Sequence, residues 1–167
     1  MRLSLLALLA RTLLLTVGAV AALPACSSER CRSVSGPFTS VVIPPPACES
    51  AANLCTHGTL TGDLEAVYDF TANTQSMADD PGHPGRSNYT GTSLITSSTG
   101  DSTLLGEDTG FLDPDGKGSA DFETTVVVVG GTDRWEGASG RLVAVGVLDF
   151  MTGDAAGSYS GTLCEAD

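Results

Sequence analysis

Five cysteines, two histidines and a run of aspartates are the residues of this 167-residue chain whose types could do chemistry. Metal binding by thiolates needs closely spaced pairs, yet there is no C-x-x-C, and His57 and His83 stand in no ligand-like register. The stretch DPDGKGSAD, residues 113–121, has the outline of a calcium loop, with Asp113, Asp115 and Asp121 at relative positions one, three and nine. Lys117 takes position five and Thr124 position twelve, where such a loop needs oxygen ligands including a bidentate Glu. The stretch therefore reads as a tight Asp-Gly hairpin turn. No G-x-S-x-G, phosphate loop or dinucleotide fingerprint occurs. These residues call for no metal and no cofactor.

The cysteines take their meaning from the chain's beginning. Residues 1–25 carry a positive n-region at Arg2 and an apolar stretch that Arg11 divides, closing on small residues, as a secretory signal does. Leu23-Pro24-Ala25-Cys26 looks like a bacterial lipobox, which makes Cys26 the expected lipidation site and the membrane an expected partner. The chain is then placed in the cell envelope, anchored by lipid on the periplasmic or extracellular side. The alternative is a plain secretory signal cleaved near Ala22 or Ala25. Cys31, Cys48, Cys55 and Cys164 remain, an even number that reads as a disulfide framework in an exported chain. The expected pairs are Cys55–Cys164 and Cys31–Cys48. The first requires that the first and last strong strands be neighbours, as in a closed barrel.

Residues 26–167 hold all twenty acidic residues and six of the eight basic ones, a formal charge of −14. That balance excludes nucleic acid as a partner, since phosphate binding needs a basic footprint. The acid excess reads first as a solvated surface, and second as a means of recruiting a cationic ligand.

The elements that must position any site are strands. Residues 26–54 are rich in Ser and Pro and read as a lipid-anchored tether, with FTSVVI at 38–43 as at most a short edge strand. The domain proper is expected over 55–167. In residues 56–72, Leu60, Leu64, Ala66, Tyr68 and Phe70 share one parity, and Thr59, Thr61, Asp63, Glu65 and Asp69 the other. That is the alternation of a half-buried strand. Short strands then recur between turns, and no segment has helical period, so the class is all-β, a small antiparallel barrel of six to eight strands. Strands 124–131 and 141–151 are apolar on both parities and so require cover on both sides, from a loop, the tether or another subunit.

Between those two strands stands GGTDRWEGASG, with Gly130, Gly131, Gly137 and Gly140 around the chain's only tryptophan, Trp135. Physically it is a barrel corner: the glycines allow a sharp exit from the sheet, Thr132 or Asp133 can cap the turn, and Trp135 plugs one end. The stretch resembles the GGTG-R-F-x-G-A-x-G signature of the allene oxide cyclase and dirigent-like barrels, which include bacterial secreted proteins. The likeness extends more loosely from Gly58 to Cys164, through Tyr68-Asp69, GFLDPDG and GSYSGT at 157–162. It implies an eight-stranded antiparallel barrel, often trimeric, although only six strands are convincing here. It also implies a lumen acid on the first strand, for which Asp69 or Glu65 is the candidate. Asp69 has the parity of the exposed face, Asp133 replaces a glycine of the signature, and Ser139 stands where an arginine is common.

The expected function is a binding or interaction module, non-catalytic, for a small apolar ligand in the barrel or for a protein partner. A cofactor-independent cyclase or isomerase using Asp69 or Glu65 is the alternative, and a structural envelope protein the third. A homo-oligomer, a trimer by the resemblance, is also expected.

Overall fold

The protein is described here by a computed structural model covering residues 30–73 and 78–166; the segment expected to be a signal and the expected lipidation site Cys26 lie outside the described residues. Nine strands follow in order: β1 (Arg30–Val42), β2 (Cys55–Leu60), β3 (Ala66–Ala72), β4 (Ala78–Asp79), β5 (Ser87–Ser97), β6 (Thr103–Pro114), β7 (Ser119–Gly131), β8 (Ser139–Asp149) and β9 (Asp154–Glu165). All neighbours are antiparallel, in the order β3-β2-β1-β9-β8-β7-β6-β5, and β3 pairs with β5 to close an eight-stranded barrel. The two-residue β4 only pairs with the first two residues of β5. Closure leaves no long sheet edge to pair with another chain.

Two strands account for the gap between six and eight. Residues 30–42 are not a tether: they form β1, an inner strand bonded along its length to β9 and over Phe38–Val42 to β2. Serines disguise it, but Val34, Phe38 and Ser40 alternate inward. Residues 56–72 are not one strand but the β2–β3 hairpin, whose turn spans 61–65. The turn hides because Leu60, Leu64 and Ala66 keep the buried parity through it. Tyr159 holds it in place: its hydroxyl accepts from the Leu64 N–H at 2.8 Å and donates to the Thr61 carbonyl at 2.9 Å.

The inserted β1 also changes the disulfides. All four cysteines are bonded, as Cys31–Cys164 and Cys48–Cys55, and not in the expected pairs. Because β1 lies between β2 and β9, Cys164 faces Cys31 in register, and Cys55 is left to close the β1–β2 loop.

One end of the barrel is filled. After β7, a short 3-10 turn (Asp133–Trp135) places Trp135, only 2% exposed, in a core with Val34, Leu64, Leu104, Val128 and Leu163. Gly131 permits this, since a Cβ there would overlap the Trp135 carbonyl. Thr132 is the N-cap residue but makes no side-chain cap; its hydroxyl pairs with that of Thr103 instead, at 3.0 Å. Asp133 holds the positive φ, 54°, that a glycine usually takes. The turns 61–65, 98–102 and 132–138 gather at this closed end. The loop 43–54, residues 80–86 and the turns 115–118 and 150–153 gather at the other.

Candidate functional site

The barrel's strict alternation decides which side chains enter the lumen. On β6, Leu104, Gly106 and Asp108 point inward while Leu105 and Glu107 point out. Asp108 is thus carried into the middle of the barrel, opposite Gly91 of β5 and Val126 of β7. It is 2% exposed, and among the described residues neither carboxylate oxygen has a hydrogen-bond partner of proper geometry. Burial pushes its carboxyl up to about 6, and the nearby Ser93 hydroxyl opposes this with a smaller pull.

Around Asp108 the barrel keeps a cavity of about 100 Å³. Its aromatic walls are Phe38, Tyr68, Phe70, Tyr89, Phe122 and Tyr159, and its aliphatic walls include Ile95, Val126, Leu142, Ala144 and Leu148. Leu54 and Leu112 line it toward the end opposite Trp135. The aromatic rings reach the site because β5 and β6 leave room: a Cβ at Gly91 would strike the Phe70 ring, and one at Gly110 the Tyr89 ring. Phe70 and Tyr89 meet edge to face at 5.6 Å, and Phe38 touches both Tyr68 and Phe122.

The polar groups of the wall are hydroxyls. Tyr89 pairs with Thr124, and Tyr68 lies beside the hydroxyls of Ser40 and Thr56. Burial raises both phenols, Tyr89 up to about 12, with the Asp108 charge adding to each. A polar cluster inside an apolar cavity, with one acid displaced from its ordinary range, is the usual mark of a ligand site.

The sequence candidates lie elsewhere. Asp69 faces solvent on β3 and pairs with His57 of β2, Nδ1 to Oδ1 at 2.7 Å. Glu65 is exposed at the closed end, where its carboxylate accepts from the Gly62 N–H. Neither enters the lumen, so the reading that made one of them the acid is corrected. His83 is also exposed, beside Asp80. In the β6–β7 turn, Asp115 accepts from the Lys117 and Ser119 N–H groups, and Asp113 pairs with Arg86 at 2.7 Å. Among the described residues, no group of acidic, His or Cys side chains is placed to hold a metal.

Asp108 went unread because Leu104 and Leu105, like Phe111 and Leu112, make both parities of β6 look apolar. A usable signal was present. On the parity of Leu104, Gly106, Gly110 and Leu112, Asp108 is the one polar residue up to Pro114.

No family model matches the chain, and no curated protein does. Solved structures do. The chain is similar to the pterocarpan synthase dirigent protein GePTS1, with 18% identity over 84% of this chain and 93% of that one, at a TM-score of 0.50. It also aligns with the pterocarpan synthase dirigent protein PsPTS1, at 17% identity over 83% and 97% of the two chains, with a TM-score of 0.46. The fold is a dirigent-like barrel. At this identity the likeness concerns architecture, and the lumen chemistry has to be argued from the residues of the dirigent-like barrel in hand.

Proposed function

We propose that this protein is an exported, lipid-anchored binding module that holds a small, largely apolar molecule in the barrel lumen. The observation that carries the reading is Asp108, buried without a partner in a cavity walled by aromatic rings. A bare carboxyl in such a place costs stability, and a ligand with one polar group would satisfy it. Anchorage through Cys26 rests on the lipobox, and residence in the cell envelope follows from it.

The test is a titration with toluene and with benzyl alcohol, followed by methyl resonances. Methyls of Val126, Leu142 and Leu148, on the wall, should shift with saturation, while those of Val129 and Val145, on the outside, should not. Shifts confined to the outer valines would refute the reading. A native mass spectrum of protein from a lipid-processing host reports acyl mass, retained ligand and subunit count together. The outer face bears exposed Leu105, Val127, Val129, Val145 and Val147, the surface that a homo-oligomer would cover.

One observation favours a second, catalytic reading. A carboxyl held at about 6 keeps its proton in mildly acidic solution where an ordinary carboxyl has lost it, as a general acid of a cofactor-independent cyclase or isomerase does. Its signature is turnover that falls as pH rises through about 6 and disappears in Asp108→Asn.

A further inference from the structure

We propose that the lumen ligand is a small organic cation: an ammonium group on a compact aromatic or aliphatic body, with its nitrogen against Asp108. This rests on the reading of the lumen as a ligand site and goes on to name the ligand's chemical class.

The balance of donors and acceptors on the wall favours a cation. Every polar side chain on the cavity wall ends in oxygen: one carboxyl and the hydroxyls of Ser, Thr and Tyr. Among the described residues no Lys, Arg, His, Asn or Gln lines it. Asp108 therefore has acceptors and hydroxyls for neighbours and no counter-ion. A carboxylate ligand would meet like charge, and an ammonium ligand supplies the missing counter-charge together with strong donors.

The aromatic wall favours a cation as well. Six of the chain's nine aromatic residues, Phe38, Tyr68, Phe70, Tyr89, Phe122 and Tyr159, line this one cavity. Aromatic faces attract cations and pack well on an apolar body, and rings surrounding an ammonium are a recurrent way to hold one. Burying a cation is ordinarily opposed by its lost hydration. Here the partner carboxylate has already been dehydrated by folding, so pairing relieves a cost that the empty barrel bears.

Long-range charge acts in the same direction. The chain carries −12 overall, and at the end opposite Trp135 the turn 115–118 bears Asp115, with Asp113, Asp149 and Asp154 at the adjoining strand ends. A field of that sign raises the local concentration of cations and lowers that of anions.

The sign of the pH dependence follows. The titratable groups that face Asp108 across the cavity are Tyr68 of β3, Tyr89 of β5 and Tyr159 of β9, all raised by burial and neutral below pH 8. Of these wall groups, only Asp108 changes charge between pH 5 and 7.5. Cation binding must therefore strengthen as pH rises through that range, whereas a neutral ligand accepting a proton from Asp108 would weaken.

The experiment compares benzylamine, benzyl alcohol and benzoate, by calorimetry and lumen methyl shifts, on the mature protein at pH 5 and 7.5 in 0.15 M salt. At pH 7.5 benzylamine should bind at least about tenfold more tightly than benzyl alcohol, with benzoate weakest. That preference should shrink at pH 5 and in Asp108→Asn. The pH comparison on the unaltered protein stands even if the variant misfolds. Benzyl alcohol binding as tightly as benzylamine at pH 7.5 overturns the cation and leaves the lumen site intact. A preference that persists in folded Asp108→Asn also overturns it, since surface charge would then be the source. Lumen methyls that respond to none of the probes remove the lumen reading itself.

Discussion

Asp108 occupies an inward strand position where the alternation of β6 calls for an apolar residue, and the cost of keeping it there depends on pH. Its carboxyl is held at about 6 in the folded chain, against an ordinary value of 3.8. Between those values the folded chain keeps a proton that the unfolded chain has released, so stability falls as pH rises through the window and stays lower above it. The shift corresponds to about 3 kcal/mol. Asp101 works the other way. Hydroxyls of Ser97, Thr99 and Ser102 hold it down to about 2, so its contribution is present above the ordinary carboxylate range and fades toward acid. Asp108→Asn removes the first effect and leaves the second. Urea unfolding should show the variant gaining about 3 kcal/mol on the parent between pH 3.5 and 7.5. An equal difference at both pH values would mean that Asp108 is not buried as described. At this scale the sequence was half legible. The outward parity of Asp69 could be read directly, because β3 alternates cleanly. Asp108 could not, because paired leucines blur the parity of its strand.

The elements divide in the same way. The corner GGTDRWEGASG was readable because glycines, a lone tryptophan and flanking apolar runs all point to one geometry, and Trp135 does fill the closed end. β1 was not readable: SVSGPFTSVV has Pro37 and four serines or threonines in a strand that is bonded on both sides. Strand propensity is weak evidence where tertiary pairing supplies the stabilisation. The misplaced disulfides follow from that single omission. The observed pairs make a ranked prediction. Cys31–Cys164 spans a sequence separation of 133 and Cys48–Cys55 one of 7. By loop-closure entropy the first is worth about 5 kcal/mol and the second about 2. Thermal unfolding of Cys31→Ser/Cys164→Ser should show the larger loss, and the reverse order would indicate that the β1–β2 loop controls stability.

At the scale of the whole molecule the barrel is polar along its axis, closed by Trp135 at one end and with its cavity reaching toward the other. β1 begins at the closed end, and only residues 27–29 separate it from Cys26. With Cys26 lipidated, as proposed, the closed end faces the bilayer and the cavity opens away from it, toward ligands in the aqueous phase. A fluorophore attached at position 136, on the closed end, should then be quenched by brominated lipid, and one at position 117 should not. Equal quenching at both positions would contradict this orientation, and an N-terminal peptide of unmodified Cys26 mass would remove the anchor.

The account depends above all on one buried carboxyl in a cavity that a ligand can enter. Its most direct test is a carbon-13 titration of the Asp108 carboxyl, with and without benzylamine. The structure predicts a midpoint near 6 in the free protein, moving toward acid when the ammonium is bound. A midpoint in the ordinary carboxylate range, or one that benzylamine leaves unmoved while bound, would contradict it.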